Sequence, residues 1–374
     1  MEKFDVIVIG GGLAGLATAA QLIEKNKKLR ILVHEAREVG QGASGVPGAM
    51  VNPATGQRAR IAWNAESCMH MLEERLKRVS AYTDEKLWTR NGVLRPAIDE
   101  ALSENFRNAL KRSRWPKGWV EWLQPDAVSG LVPRLKEQSG GLFIRKGMVV
   151  QTPEYLNACV RYLEEQGVQF QYGGPYRLER ERNWNLTSYK KQTSAPTVIL
   201  TTGYKSRENK YWNELPLNSV KGQLAVYECQ ENVSDLPAIS AYGYIAPISR
   251  NRLVVGSTYE HHFHDENPDD QGAGLLDHKL KELLPDLYPK CRRIGQWSGI
   301  RATTPDRIPL VGEHYSGKGL YIFAGLGSKG LLYSECIAAG LAEHVIRGEK
   351  LPEELSLFRF SKLRDLREQA STES

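Results

Sequence analysis

Phe4-Asp5-Val6-Ile7-Val8-Ile9-Gly10-Gly11-Gly12-Leu13-Ala14-Gly15 joins a short β-branched run to a glycine turn, and Leu16, Ala17 and Ala20 continue from Leu13 at helical spacing. The order predicts strand, tight turn and helix. The turn satisfies Gly-x-Gly-x-x-Gly, and a second apolar run, Ile31-Leu32-Val33-His34, ends in Glu35 twenty positions after Gly15. Together these parts make the dinucleotide fingerprint of a Rossmann unit. Gly10 permits the sharp turn, Gly12 lets a pyrophosphate approach the backbone, and Gly15 lets the helix pack closely on the strand. Leu13 and Ala14 open a helix whose N-terminus favours phosphate charge. Glu35, followed by Ala36, is placed to bind a ribose hydroxyl pair. A carboxylate there repels a ribose 2′-phosphate, which disfavours NADP and leaves FAD and NAD open.

Outward from this unit the α/β rhythm stops and resumes. Residues 46–82 begin as an irregular glycine-rich stretch and turn helical around Met69, Leu72, Leu76 and Val79. Thr152-Pro153-Glu154 reads as an N-cap, a first-turn proline and a first-turn acid opening a helix through Leu156, Cys159, Val160 and Leu163. Residues 167–170 and 197–203 re-enter as buried strands, whereas 224–227, 244–247 and 253–256 are short strands between turn signals, the pattern of an antiparallel sheet. A last strand, 320–324, runs into Gly325-Leu326-Gly327-Ser328-Lys329-Gly330, a second Gly-x-Gly-x-x-Gly, before a helix through Ile337, Leu341 and Val345. No acid-ended strand follows it, so a single dinucleotide is expected. The turn still makes an electropositive helix end, strengthened by Lys329 and suited to partial negative charge on a cofactor ring.

Composition narrows the class. A 374-residue chain of 42.0 kDa with 41% hydrophobic residues is long for one compact unit and predicts two domains. Lys and Arg number 50 against 44 Asp and Glu, and the resulting +6 does not demand nucleic acid. No apolar run approaches the ~20 residues of a membrane helix, and the N-terminus carries Glu2, Lys3 and Asp5, so it reads as a strand rather than a signal peptide. Cys68, Cys159, Cys229, Cys291 and Cys336 are an odd set without a close pair, which suggests neither a disulfide framework nor a CxxC site and predicts a cytoplasmic protein. His261, His262, His264 and His278 lie with Asp265, Glu266, Asp269 and Asp270 around Pro268 and Gly272. They fit no tetrahedral spacing and read as a polar surface loop, with no metal site. Arg107, Lys111, Arg112, Arg114 and Lys117 fall among Trp115, Trp119 and Trp122. That cluster is able to meet phosphates and bases, and reads first as a solvated helix face beside core tryptophans.

Taken together, the turn at 10–15 with Glu35, Gly42-Ala43-Ser44-Gly45, Gly203 closing its strand, Gly299-Ile300-Arg301 leading to Thr304-Pro305-Asp306-Arg307-Ile308-Pro309-Leu310-Val311-Gly312, and Gly325 through Leu331 resemble the FAD-dependent glycine and D-amino-acid oxidase (DAO) family. Its members include sarcosine and glycine oxidases and the oxidase domain of a bifunctional tRNA enzyme that makes methylaminomethyl-uridine. The resemblance covers most of the chain. It implies an α/β fold: a Rossmann-like FAD-binding domain, discontinuous over 1–50, 141–215 and 296–374, with an inserted, mainly antiparallel-sheet substrate domain over 51–140 and 216–295. The cofactor residues it implies are Gly10, Gly12, Leu13, Ala14, Gly15, Glu35, Ala36, Ser44, Gly45, Gly203, Gly325, Gly327, Ser328, Lys329, Gly330 and Leu331. Arg301 would hold a substrate carboxylate, with Tyr244 facing the same cavity. No cysteine falls at the covalent flavin position of the sarcosine oxidase branch, so FAD is expected to be noncovalent. The implied reaction oxidises the C–N bond of a small-molecule amine, an amino acid or N-substituted glycine, by hydride transfer to flavin N5 followed by imine hydrolysis. Two alternatives stay open: the same chemistry on carboxymethylaminomethyl-uridine in tRNA, and, more distantly, an NAD-linked dehydrogenase.

Overall fold

The computed structural model describes residues 1–189 and 191–372. All four side chains of β1 (Val6–Ile9) are buried, so the strand has no polar face and sits inside a sheet covered on both sides. Its partners are β2 (Ile31–Glu35), β3 (Gln169–Tyr172), β4 (Thr197–Leu200), β5 (Leu310–Glu313) and β6 (Leu320–Ala324), in the spatial order β3-β2-β1-β4-β6-β5. All neighbours run parallel except β5, which returns antiparallel to β6. Helices α1 (Leu13–Lys25), α2 (Ala65–Val79), α4 (Thr152–Glu165) and α5 (Gly330–Arg347) pack together and share one apolar core, while α3 (Glu100–Arg112) belongs to the second half of the molecule. A three-stranded antiparallel meander within 176–195, anchored by buried Trp184 and Leu186, covers the opposite face.

The helical layer is tied by charge as well as by apolar contact. Arg75, on α2, is 3% exposed and reaches Glu24 of α1 at 2.5 Å and Glu335 of α5 at 3.1 Å. Tyr162 of α4 donates to Glu24 at 2.5 Å, and Tyr155 of the same helix donates to Glu335 at 3.3 Å. Burial alone pushes the Glu24 carboxyl up, but Arg75, the Tyr162 hydroxyl and Arg78 outweigh it and hold Glu24 below its ordinary value.

The second half is built on an eight-stranded sheet in the order Cys291–Thr303, Asn218–Cys229, Arg252–Gly256, Tyr244–Ser249, Ala238–Ile239, Val93–Pro96, Gly141–Ile144 and Val120–Leu123. Most of its ladders are antiparallel, and the strands expected at 224–227, 244–247 and 253–256 all lie in it. Sheet membership differs from the expected division in two places. Gly141–Ile144 pairs with strands of this sheet, and the long strand Cys291–Thr303 runs straight through position 296. The strand Cys291–Thr303 pairs with Asn218–Cys229 along its whole length, so no change of pairing marks position 296.

Three local expectations are corrected. Cys229 and Cys291 form a disulfide with Cα atoms 4.1 Å apart, because register places them directly opposite at the ends of two paired strands. Their separation of 62 positions conceals this in the sequence. Thr152 is the first helical residue of α4 rather than its cap, and its hydroxyl donates back to the Val150 carbonyl at 3.3 Å. The polar loop is shorter than expected: helix Asp270–Leu283 begins inside it, Asp269 caps it by accepting from Gly272 N at 2.7 Å, and His278 lies on that helix. Among the described residues no helix is long and apolar enough to cross a membrane, and no group of three or more His, Cys, Asp or Glu is arranged to hold a metal ion.

Candidate active site

The carboxyl ends of β1, β2, β4 and β6 open into a cavity of about 1760 Å³ that extends under the eight-stranded sheet. Ligands of open α/β sheets bind outside such strand ends, and this volume exceeds the roughly 300–1,000 Å³ of ordinary small-molecule pockets. It is large enough for a dinucleotide and a second molecule.

At one end stands the first glycine turn. Gly10 has φ +116°, and a Cβ there would lie 2.7 Å from the Thr201 carbonyl. A Cβ on Gly15 would lie 1.8 Å from the Gly10 carbonyl, so Gly15 works by close packing and does not itself line the cavity. Gly12, Leu13 and Ala14 do line it. Gly12 has no capping side-chain bond and α1 has no acid in its first turn, which leaves an electropositive helix end facing the cavity. Ser44 Oγ accepts from Leu13 N at 3.0 Å and would sit 2.8 Å from a Cβ on Gly12. Glu35 accepts from Gly11 N at 2.6 Å and from Arg37 N at 3.1 Å, which fixes its carboxylate at the strand end with Ala36 beside it in the cavity wall. Gly45 lies off this cavity. A Cβ there would meet the Gly40 carbonyl at 1.9 Å, so it folds the loop that presents Ser44.

The second glycine turn closes on the same space. Gly203, Gly325, Gly327, Ser328, Lys329, Gly330 and Leu331 all line the cavity. Gly325 and Gly327 take φ +79° and +55°, and a Cβ on Gly330 would lie 2.8 Å from Leu13 Cδ1, so the two helix N-termini, α1 and α5, converge. Lys329 donates to the Arg307 carbonyl at 3.3 Å, and its ammonium lies 5.4 Å from the Tyr333 ring centroid. Burial, with the charge of Arg307, pushes its amine below the ordinary lysine value. Two facing helix ends, a hydrogen-only cradle at Gly12 and a fixed carboxylate at the ribose position fit FAD.

At the far end of the cavity Arg301 lies on the long strand Cys291–Thr303, opposite Val220. Gly222 makes room for it, since a Cβ there would fall 2.2 Å from Arg301 Nη2. The guanidinium donates to the Thr258 carbonyl at 2.8 Å and to Ser257 Oγ at 3.2 Å, and its carbon lies 4.3 Å from the Tyr259 ring centroid. Among the described residues no carboxylate pairs with it, and its buried Nε–H has no protein partner. Guanidinium carries five donors in a planar fork, so this one retains capacity for an anion. Tyr244 lines the same space and donates to the Gly48 carbonyl at 3.2 Å. Burial pushes its hydroxyl up against the opposing pull of Arg301, which keeps it a neutral donor. Lys279 donates to the Ser257 carbonyl at 2.6 Å, and burial with the nearby Arg301 charge lowers its amine.

Sequence reasoning missed Gly222, Ser257, Thr258 and Tyr259, which position Arg301, and Lys279, which holds Ser257. They come from a paired strand, the stretch after strand Arg252–Gly256 and helix Asp270–Leu283, a convergence that sequence spacing does not reveal. It also missed the mouth, where exposed Tyr242 and Tyr259 stand in the cavity wall with exposed Arg58 and Arg60. The tryptophan cluster is largely core: Trp119 is buried, and Trp122 is covered by Arg107 at 4.2 Å.

Residues 5–344 match the family model described as FAD dependent oxidoreductase (DAO). The chain is 28% identical over 366 residues to the tRNA 5-methylaminomethyl-2-thiouridine biosynthesis bifunctional protein MnmC of Thiobacillus denitrificans, covering 95% of this chain but 58% of that relative. It is 24% identical over 360 residues to the glycine oxidase of Geobacillus kaustophilus, covering 93% of this chain and 94% of that one. The crystal structure of glycine oxidase from Geobacillus kaustophilus superposes with a TM-score of 0.87 at 22% identity, over 96% of this chain and all of that chain (100%).

Proposed function

The chain belongs to the FAD dependent oxidoreductase family, and on that premise we propose that it oxidises the C–N bond of an amino acid or N-substituted glycine. Family membership displaces the NAD-linked dehydrogenase alternative. The observation that carries the proposal is Arg301: a guanidinium without a carboxylate partner among the described residues, built into the wall of the cavity onto which both helix N-termini open. FAD, when bound there, supplies the two-electron oxidation at its ring. The residues 10–15, Glu35, Ala36 and Ser44 would hold its pyrophosphate and ribose, and the turn at 325–331 would face its ring. Arg301 would hold the substrate carboxylate with charge-assisted hydrogen bonds while Tyr244 orients it. The amine must be neutral to release hydride, and the two cations beside the pocket, Arg301 and Lys279, favour that state. No side chain needs to act as a base. We place FAD noncovalently, and the Cys229–Cys291 disulfide removes the cysteine-based ground for a cytoplasmic location.

A second substrate, carboxymethylaminomethyl-uridine in tRNA, is favoured by one feature. Leu102, Asn105 and Phe106 on α3 line the cavity, and the same helix ends in exposed Lys111 and Arg112, followed by exposed Arg114 and Lys117. Tyr242 and Tyr259 at the mouth add surfaces on which a base stacks for roughly 1–3 kcal/mol. The basic C-terminal helix supports this less, since Lys362 pairs with Glu214 and Arg367 lies over Phe358 at 4.4 Å. Anaerobic bleaching of the flavin by sarcosine, glycine, proline and modified tRNA tests both readings. Reduction by a free amino acid without tRNA binding at low salt supports the first, and reduction by modified tRNA alone supports the second.

A further inference from the structure

Cys68 and Cys336 take no part in the proposed oxidation, yet they lie where α2 packs on α5, the helix whose first turn lines the cavity. Cys68 is completely buried on α2, and Cys336 is partly exposed on α5. The residues leading into α2 bind both sulfurs and the helix beyond. Trp63 N donates to the Tyr333 hydroxyl at 3.3 Å, Asn64 Nδ2 donates to Cys336 Sγ at 3.4 Å, and the Cys68 thiol points at the Trp63 carbonyl at 3.8 Å. Trp63 and Asn64 are consecutive, and each holds one of the two sulfurs, which brings Cys68 and Cys336 to the same joint between α2 and α5. The neighbouring Cys336 sulfur and burial push the Cys68 thiol up, while the neighbouring Cys68 thiol and the Asn64 amide hold Cys336 below the ordinary thiol value against its own burial. A partly exposed thiol with stabilised thiolate character beside a buried second thiol is the arrangement of a peroxide-sensing pair.

We propose that Cys336 is a peroxide-reactive thiol and that Cys68 is its resolving partner, the two forming a disulfide that joins α2 to α5. The Cys336 thiolate attacks one oxygen of hydrogen peroxide, the O–O bond breaks, and hydroxide leaves to take up a proton as water, giving a sulfenic acid. The Cys68 sulfur then attacks the sulfenic sulfur, the S–O bond breaks, and hydroxide leaves with the Cys68 proton as a second water. Two thiols lose two electrons in total and one peroxide becomes two waters, so no other oxidant is required. The reaction is independent of which amine the enzyme oxidises. Its position matters because Met50, Val51, Asn52 and Ala54, upstream of α2, and Gly330 to Leu332, which open α5, line the cavity. Cys159 serves as an internal control: burial is complete and pushes its thiol up to about 12.

The test treats the flavin-loaded protein with equimolar hydrogen peroxide, alkylates it under denaturing conditions and digests it without reduction. The proposal expects a cross-linked peptide joining Cys68 to Cys336, loss of two alkylated thiols per chain, and Cys159 fully alkylated. In Cys68→Ser, and in Cys68→Ala should serine disturb the buried site, the sulfenic acid at Cys336 persists and is trapped by dimedone. In Cys336→Ser, Cys68 stays alkylated. Full alkylation of Cys336 after treatment, oxidation of Cys336 without a bridge to Cys68, or equal oxidation of Cys68 in Cys336→Ser would each overturn it.

Discussion

Arg301→Ala removes a guanidinium that no carboxylate among the described residues shares, so its main loss falls on an incoming anion. A hydrogen bond to a charged group contributes about 1.5–3 kcal/mol. At ~1.36 kcal/mol per factor of ten, kcat/KM for a carboxylate substrate falls by about 10- to 150-fold. The variant also loses the bonds to Thr258 at 2.8 Å and Ser257 at 3.2 Å and the stack on Tyr259, contacts made by the one stretch 257–259 beside the cavity. Flavin content and unfolding temperature are therefore measured beside the kinetics, and both should stay near wild type. Arg301→Lys restores the charge without the planar fork, so it recovers only part of the rate. The discriminating assay compares N-methylglycine with a matched secondary amine that lacks the carboxylate. The penalty should appear with the first and vanish with the second. Equal penalties on both amines, or wild-type kinetics in the alanine variant, would refute the assignment of Arg301 to the carboxylate.

Other outcomes follow from the same structure. Gly12→Val places a branched side chain where even a Cβ lies 2.8 Å from Ser44 Oγ, so the purified variant should lack visible flavin absorbance. Arg75→Ala leaves Glu335, 2% exposed, without its cation, and should lower the unfolding free energy by about 3–5 kcal/mol in denaturant titrations. Glu24, held below its ordinary value when folded, contributes stability that is complete above the unfolded carboxyl pKa and is lost as pH falls through the lower folded one. Unfolding midpoints should therefore drop across that acidic interval, and less steeply in Glu24→Gln. If modified tRNA is a substrate, reversing Lys111, Arg112 and Arg114 to glutamate should abolish its turnover, leave flavin content unchanged and flatten the salt dependence of binding. An unaltered tRNA rate in that variant would remove the basic surface from the account.

What the sequence showed was local chemistry. The turn at 10–15 and its acid at Glu35 were legible because strand, glycine and helix follow one another within forty residues, and Gly10, Gly12, Leu13, Ala14 and Glu35 line the cavity. Arg301 was legible only through its Gly-Ile-Arg motif, because the residues that hold it come from a strand end at 257–259 and from Gly222, brought together by long-range register. The Cys229–Cys291 disulfide escaped for the same reason, since strand pairing across 62 positions leaves no local trace. Gly45 looked like a cofactor glycine but makes the loop behind Ser44, a distinction that only the 1.9 Å approach to Gly40 reveals. Thr152 showed the composition of a cap, yet its helix starts one residue earlier than that composition suggests.

In the proposed reaction one chain brings a flavin and a carboxylate-bearing amine together in this cavity. The most direct measurement is an anaerobic spectrum of the purified protein before and after addition of an N-substituted glycine, followed by acid precipitation. The account predicts a yellow protein that bleaches on addition of substrate and a flavin that is released into the supernatant. Bound NAD in place of flavin, or a flavin that stays oxidised with free N-substituted glycines, amino acids and modified tRNA alike, would contradict it.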